Sequence, residues 1–453
     1  MPSTLSVYRV SACLLWALTL WHSWTCRGLF VDGSAFLVQI AAHESYLDFY
    51  PPRRFAMIVA QTPIMLALQL GITDLQWMGR LLSFGFFLLP TVFYTAALHR
   101  ARHDAVLLGG VIATMGIVFM TTSFFIVGEY NGAYAMAVTV AVRLVTAGRL
   151  DRWDGIVLVV IGLLAVRTYE AFLYLGPLLV AMIGWQIWRF KKRPPIPVAL
   201  HLIAAGFLLA GVVVAFGSIV YPYNEEHLQE TATSIFNFWQ NMQFDIAVLT
   251  ATVIVVWALI RPKDLDTGKP YAWASIFVFL LLLSPLLSLT EGPVRPLAKS
   301  HYVARTAAGA IVSGVIVVMW LYGSRIGRKI TALEVLRRPS AARRFLAFAC
   351  VIFLAMIPID LVLTATWSSY LEALRKTVQT HTGLVAFEDS PLATWPHNLF
   401  VENWTVPGTS LILRSTPTDA LVLPPKGFTE WQPFDPTGKG VDVPDLGRFF
   451  WPR

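Results

Sequence analysis

Apolar stretches about as long as a lipid bilayer is thick recur along almost the whole chain, and they limit it to very few folds. A spanning helix needs about 20 apolar residues, because about 30 Å of hydrocarbon is crossed at about 1.5 Å per residue. Such runs fall at approximately 8–25, 75–98, 104–127, 132–148, 155–168, 171–189, 197–221, 245–261, 271–289, 303–323 and 345–367, eleven in all. The pair at 155–168 and 171–189 is split by Arg167-Thr-Tyr-Glu170, which reads as two short helices meeting at a membrane face. Charged residues make up only 14% of the 453 residues and apolar ones 56%. Ordinary soluble proteins carry about 25% charge, and a soluble globule of this size could not cover its surface with so little. Lipid-facing surface needs no charge. The expectation is an all-α polytopic membrane protein; soluble enzymes and disordered chains are excluded.

The net charge of +8 does not point to nucleic acid, because no Lys/Arg run alternates with exposed aromatics in a soluble module. The basic residues sit in short loops between apolar runs. With a cytoplasmic N-terminus, the inside loops carry Arg100/Arg102, Arg149/Arg152, Arg189/Lys191/Lys192/Arg193, Arg261/Lys263/Lys269 and seven Lys/Arg from Arg325 to Arg344. The connection from Tyr221 to Phe244 has no Lys or Arg but carries Glu225, Glu226 and Glu230. This is the positive-inside pattern. Eleven spans place the C-terminal tail outside, in the periplasm of a bacterial inner membrane. Cys13 and Cys350 fall within apolar runs and Cys26 just past the first, so no disulfide framework is expected. No small-residue cleavage site follows the first run, which reads as an uncleaved span.

Two outside pieces are unusual. Residues 26–74 are too long for a hairpin and too apolar for a free loop, and they read as helices lying in the outer interface. Residues 368–453 are rich in Pro, Gly and Trp, with β-prone runs at Ser410-Leu-Ile-Leu-Arg and Ala420-Leu-Val-Leu. They read as a small strand-containing periplasmic domain after a transmembrane domain of residues 1–367.

Ionisable groups near lipid are costly unless they are used or paired. Four outer clusters qualify. Asp32, in Phe30-Val-Asp-Gly-Ser, stands directly after the first span, where a carboxylate can take a proton from an incoming hydroxyl or simply cap a helix. His43, Glu44 and Asp48 nearby look metal-like, but their spacing fits a solvated face better. Glu129 lies in the short hairpin Gly128-Glu-Tyr-Asn-Gly132, either as a confined functional carboxylate or as a polar turn. Arg167 and Glu170 sit at the tip of the split pair, either in a site or paired with each other. Arg295, Lys299, His301, Tyr302 and Arg305 concentrate positive charge where outside loops are normally poor in it. An anionic lipid phosphate would account for them, through bidentate guanidinium donors or through general headgroup contact. Arg143 and Asp360 are charged positions within spans to which the sequence assigns no partner.

In this order the clusters resemble the GT-C superfamily of membrane glycosyltransferases. The resembling features are Asp32 opening a long first outer loop, Tyr50-Pro-Pro-Arg-Arg-Phe-Ala, Gly79-Arg-Leu-Leu-Ser leading into the second span, Glu129 closing the third, Arg167-Thr-Tyr-Glu, and His301-Tyr-Val-Ala-Arg. The likeness runs over residues 1–323 in short motifs. Departures are Glu129 where the family often has Asp, Gly33 where a second acid stands, and His301 in place of Arg.

The resemblance implies an inverting glycosyltransferase using a polyprenyl-phosphate-linked sugar and a lipid or glycan acceptor, working among membrane lipids. Asp32 would be the general base. Glu129 would orient the acceptor or an optional divalent cation, magnesium or manganese. Lys299 and Arg305, with Arg167, would hold the donor phosphate, and Glu170, Arg295, His301 and Tyr302 would line the substrate site. A polymerase or ligase of undecaprenyl-linked oligosaccharides is the alternative enzyme. A transporter would place charges at mid-membrane depth and broken helices in paired positions, and a catalytically silent structural subunit is the remaining class.

Overall fold

The computed structural model describes residues 3–48, 51–120, 129–222, 242–288, 301–394, 405–426 and 446–452. It is a helical protein with two very short strands. A helix occupies each of the eleven apolar runs: α1 (Thr4–Trp24), α4 (Leu75–Ala101), α5 (Ala105–Thr114, continued by a wider turn over Met115–Phe119), α6 (Glu129–Thr146), α7 (Arg152–Ala165), α8 (Phe172–Arg189), α9 (Pro195–Val220), α10 (Met242–Ile260), α12 (Lys269–Ser288), α13 (His301–Gly323) and α15 (Pro339–Thr380). Among the described residues, α1, α4, α9 and α15 are both long and apolar enough to cross a membrane. Four short helices lie between them or follow: α2 (Asp32–His43), α3 (Arg54–Gln69), α11 (Asp264–Thr267) and α14 (Thr331–Leu336). A fifth, α16 (Val406–Ile412), follows in the tail.

Local sequence sets the helix starts. The side chains of Asp74, Asp104 and Asp151 accept hydrogen bonds from the first free N–H groups of α4, α5 and α7, the usual service of an N-cap. Pro195 and Pro339 sit in the first turns of α9 and α15, where a missing N–H costs nothing.

Contacts between helix ends show how the bundle is threaded. At one end, Asp154 of α7 accepts from Arg100 of α4 (2.9 Å) and from Arg143 of α6 (2.8 Å). Arg189, closing α8, donates to the Ala147 carbonyl, and Tyr322 of α13 donates to Asp104. Asp266 takes Arg338 and Ser340 at the start of α15. The basic loops therefore share one end. Arg143, unassigned in the sequence, has its partner here. At the opposite end the Cys26 thiol, past α1, points to the Gln76 carbonyl at the start of α4 (3.7 Å). Phe55, starting α3, donates to the Arg167 carbonyl between α7 and α8 (2.9 Å).

The α3 helix thus begins beside the α7–α8 elbow and ends just before α4. It lies across this end of the bundle and packs on α4. Gly85 of α4 permits the contact: a Cβ there would sit 1.8 Å from the Ala60 carbonyl. Small residues let helix backbones approach in this way.

The tail differs from expectation in two places. Helix α15 does not stop at 367 but runs on to Thr380, because Tyr370, Leu371, Leu374 and Val378 continue its buried stripe. The run at Ser410–Arg414 is not a strand, because Val406–Ile412 is helical with Pro407 in its first turn and every residue buried. Short apolar runs buried on all sides carry no period by which strand and helix can be told apart. Among the described tail residues, Leu421–Val422 (β2) forms a strand, pairing in parallel with Leu384–Val385 (β1). The described tail residues have no core of their own. Leu411, Ile412, Leu421, Phe449 and Trp451 join the same apolar core as the bundle. Two backbone bonds, Leu75 N–H to Phe450 O (3.0 Å) and Phe450 N–H to Thr73 O (3.3 Å), stitch the tail to the end of the first loop.

Candidate functional site

The end opposite the basic loops carries the sequence-derived candidates that fall among the described residues. Asp32 is the first residue of α2, and its N-cap is Val31. Val31 has φ +54°, a conformation that costs a β-branched residue about 1–3 kcal/mol. Cys26, at the other edge of the same turn, has φ +53°. Between them Arg27–Leu29 form one tight turn, and the Gly28 N–H donates to Ser83 Oγ of α4 (2.9 Å). The packing demands glycine at two positions. A Cβ on Gly28 would lie 2.6 Å from Ser83 Cα, and one on Gly33 would lie 1.6 Å from the Gly28 carbonyl. Burial pushes the Cys26 thiol up to about 12.

Arg27 holds this turn to α15. Its Nη1 donates to Asp360 Oδ1 (2.6 Å) and to Thr364 Oγ1 (2.8 Å). His22 Nε2 lies 2.6 Å from both Asp360 Oδ2 and Arg27 Nη1. Its tautomer decides whether it donates to the carboxylate or accepts from the guanidinium. Trp367 Nε1 donates to the Cys26 carbonyl (3.4 Å), and its ring meets Phe30 edge-on at 5.6 Å. Charge-assisted bonds are worth about 1.5–3 kcal/mol each, enough to offset the strain at Val31. Asp360 was noticed in the sequence as an acid within a span. Its partners were not legible there, because His22 and Arg27 lie more than 330 positions away.

A second constellation joins α3, α6 and the elbow. Arg53 Nε donates to both oxygens of Glu170, at 3.0 and 3.2 Å. Its guanidinium lies over the Tyr169 ring at 5.2 Å. Burial alone would make Arg53 easier to deprotonate, but Glu170 and then Glu129 overcome it and hold the group firmly charged. Glu129 is buried at the head of α6. Tyr169 meets Tyr130 and Tyr134 at 5.9 and 6.5 Å between ring centroids. The Tyr134 and Tyr174 hydroxyls are 3.3 Å apart and press on Gly309 of α13. Tyr130 is also within electrostatic reach of Arg27, which links the two constellations.

The local pairing of Arg167 with Glu170 does not form. The elbow turns Glu170 toward the start of α3, where Arg53 takes it. Arg167 gives its carbonyl to Phe55, and its half-buried side chain has no ion-pair partner among the described residues. Arg53 was visible in the Pro-Pro-Arg-Arg motif but had been given no role. Arg295 and Lys299 lie outside the described residues. His301, Tyr302 and Arg305 fall in the opening turns of α13, with side chains outside the described set. Position 305 stands one turn before Gly309 on the same helical face. His43, Glu44 and Asp48 do not converge: His43 Nδ1 meets the Gln39 carbonyl, Glu44 pairs with Arg448 and Asp48 with Arg54. No group of three or more His, Cys, Asp or Glu converges as a metal site among the described residues.

Comparison of the chain with protein-family models, with curated proteins and with solved structures gives no match.

Proposed function

We propose that this protein is an inverting membrane glycosyltransferase of GT-C type. It transfers a sugar from a polyprenyl-phosphate donor to a lipid or glycan hydroxyl at the periplasmic face of a bacterial inner membrane. One observation carries the reading. Glu129, Glu170, Arg53, Arg167 and four tyrosines gather at the end of the bundle away from the basic loops, the same end at which Asp32 opens α2. Four described helices long and apolar enough to cross a membrane support a place in the membrane. The stitching of Phe450 to Thr73 and Leu75 supports a tail on the same side as the first loop.

In this reading Asp32 accepts the proton of the acceptor hydroxyl as its oxygen attacks the anomeric carbon, and the carbon–phosphate oxygen bond breaks with inversion. Negative charge develops on the leaving phosphate. Arg167 and Arg305, the latter from the start of α13, offset it together with Lys299 through charged donors. Tyrosine faces suit the C–H faces of a sugar, and the Arg53–Glu170 pair fixes the elbow that carries Arg167. Glu129 orients the acceptor. It also lies in the field of Arg53, and it would be the residue to hold the optional magnesium or manganese ion.

The test is sugar transfer by purified protein offered a panel of polyprenyl-phosphate sugars. Asp32→Asn should fold normally and lose about 10²- to 10⁴-fold in rate, the usual effect of removing a general base. Retention of most activity would move the base to Glu129 or Glu44.

A further inference from the structure

Three side chains on one face of α15 converge on the turn that precedes Asp32. Asp360, Thr364 and Trp367 are spaced four and then three residues apart, so they form a single stripe. Asp360 and Thr364 take Arg27, and Trp367 takes the Cys26 carbonyl and packs on Phe30. From the other side, Ser83 of α4 takes the Gly28 N–H. Every group in this clamp is buried. What it clamps is not a relaxed segment. Both ends of the turn, Cys26 and Val31, have positive φ, and the second directly precedes Asp32. A β-branched residue keeps such a conformation only where its surroundings over-determine it.

We propose that Asp360, acting through Arg27, is a positioning residue for Asp32. The stripe on α15 holds the 26–31 turn in the strained form that sets the Asp32 carboxylate at the head of α2. A carboxylate deep in a helix bundle is thereby used to aim a second carboxylate at its rim. The catalytic meaning of this arrangement rests on the glycosyltransferase reading, whereas the mechanical claim does not.

The chain contains its own reporter. Cys26 is buried in the clamped turn, and Cys350 lies on α15 nearly three turns before Asp360. The experiment uses the full chain in detergent, in one background retaining only Cys26 and another retaining only Cys350. Labelling by N-ethylmaleimide is followed by mass spectrometry. Asp360→Asn should speed labelling of Cys26 at least about tenfold, as expected for local opening, and leave Cys350 within about twofold. The double variant Arg27→Met/Asp360→Leu leaves no uncompensated buried charge between these two positions and so keeps the measurement possible if the single variant does not fold. It should show the same selective exposure of Cys26. Asp360→Glu, which keeps the charge, should restore part of the protection. With a donor that the wild type uses, the double variant should lose kcat about a hundredfold while donor KM changes less than about threefold.

Unchanged Cys26 labelling would overturn the proposal. So would Cys26 and Cys350 rising together, because that marks general loosening. So would a fall in kcat/KM carried by KM alone. A wild type that transfers no sugar, yet loses Cys26 protection selectively in both variants, would sink the glycosyltransferase reading and leave the clamp standing.

Discussion

Arg53 reaches both carboxylate oxygens of Glu170 from a single nitrogen, and this contact fastens the first loop to the elbow between α7 and α8. The two residues are 117 positions apart. The contact also fixes where Tyr169 stands, since Arg53 lies over its ring.

Removing this pair should separate binding from stability. Glu170→Gln leaves Arg53 partly buried with one charge partner fewer. A charge-assisted hydrogen bond is worth about 1.5–3 kcal/mol, and partial exposure of both side chains places this one at the lower end. Thermal unfolding in detergent should shift down modestly. Donor KM should rise more than that shift accounts for, because the elbow carries Arg167. An unchanged KM would detach the pair from the site.

The donor phosphate should distinguish two arginines. Arg305 belongs to the opening turns of α13, whereas Arg328 lies among the basic loops at the other end. Arg305→Ala should weaken donor use about ten- to a hundredfold, and Arg328→Ala should leave it near wild type. Lysine at 305 should recover part of the loss, since charge remains but the planar fork does not. Equal donor affinity in wild type and Arg305→Ala removes Arg305 from the mechanism.

At the basic end, Asp154 is the only acid shared by Arg100 and Arg143 among the described ion pairs. Asp154→Asn leaves two guanidinium groups facing each other across α4, α6 and α7. A loss of about 2 kcal/mol is expected, below the range for a fully buried pair because Arg100 is a third exposed. The reading is the unfolding midpoint of purified protein, which should fall without a change in donor KM.

Topology can be read directly. A reporter joined after Arg453 should register the periplasm and one inserted between 325 and 344 the cytoplasm. The bonds of Phe450 to the first loop require the tail and residues 73–75 to share a side. Both reporters on one side would discard the eleven-crossing arrangement.

Helix positions were legible because lipid imposes a length and a polarity on each crossing, and α4 or α9 can be placed from those alone. The basic loops were legible for a similar reason: Arg100 and Arg189 stand at the ends of long apolar runs. Pairings were not. Asp360 stood out as an intrusive charge, but nothing in its neighbourhood names His22 or Arg27. Glu170 had an arginine three residues away and chose another, because a bend between helices turns side chains by an angle that spacing does not encode. The 410–414 run misled for a different reason. Its Leu-Ile-Leu centre is β-prone, but Leu411, Ile412 and Leu413 are all buried, so the run shows no alternation between two faces.

Helix α4 is gripped twice within three turns, by the tail at Leu75 and by the Asp32 turn at Ser83. Eight residues of helix make a stiff rod about 12 Å long. A displacement of Phe450 would therefore load the rod at its tip, and the load would reach Gly28 along the helix. The tail and the strained turn cannot shift independently.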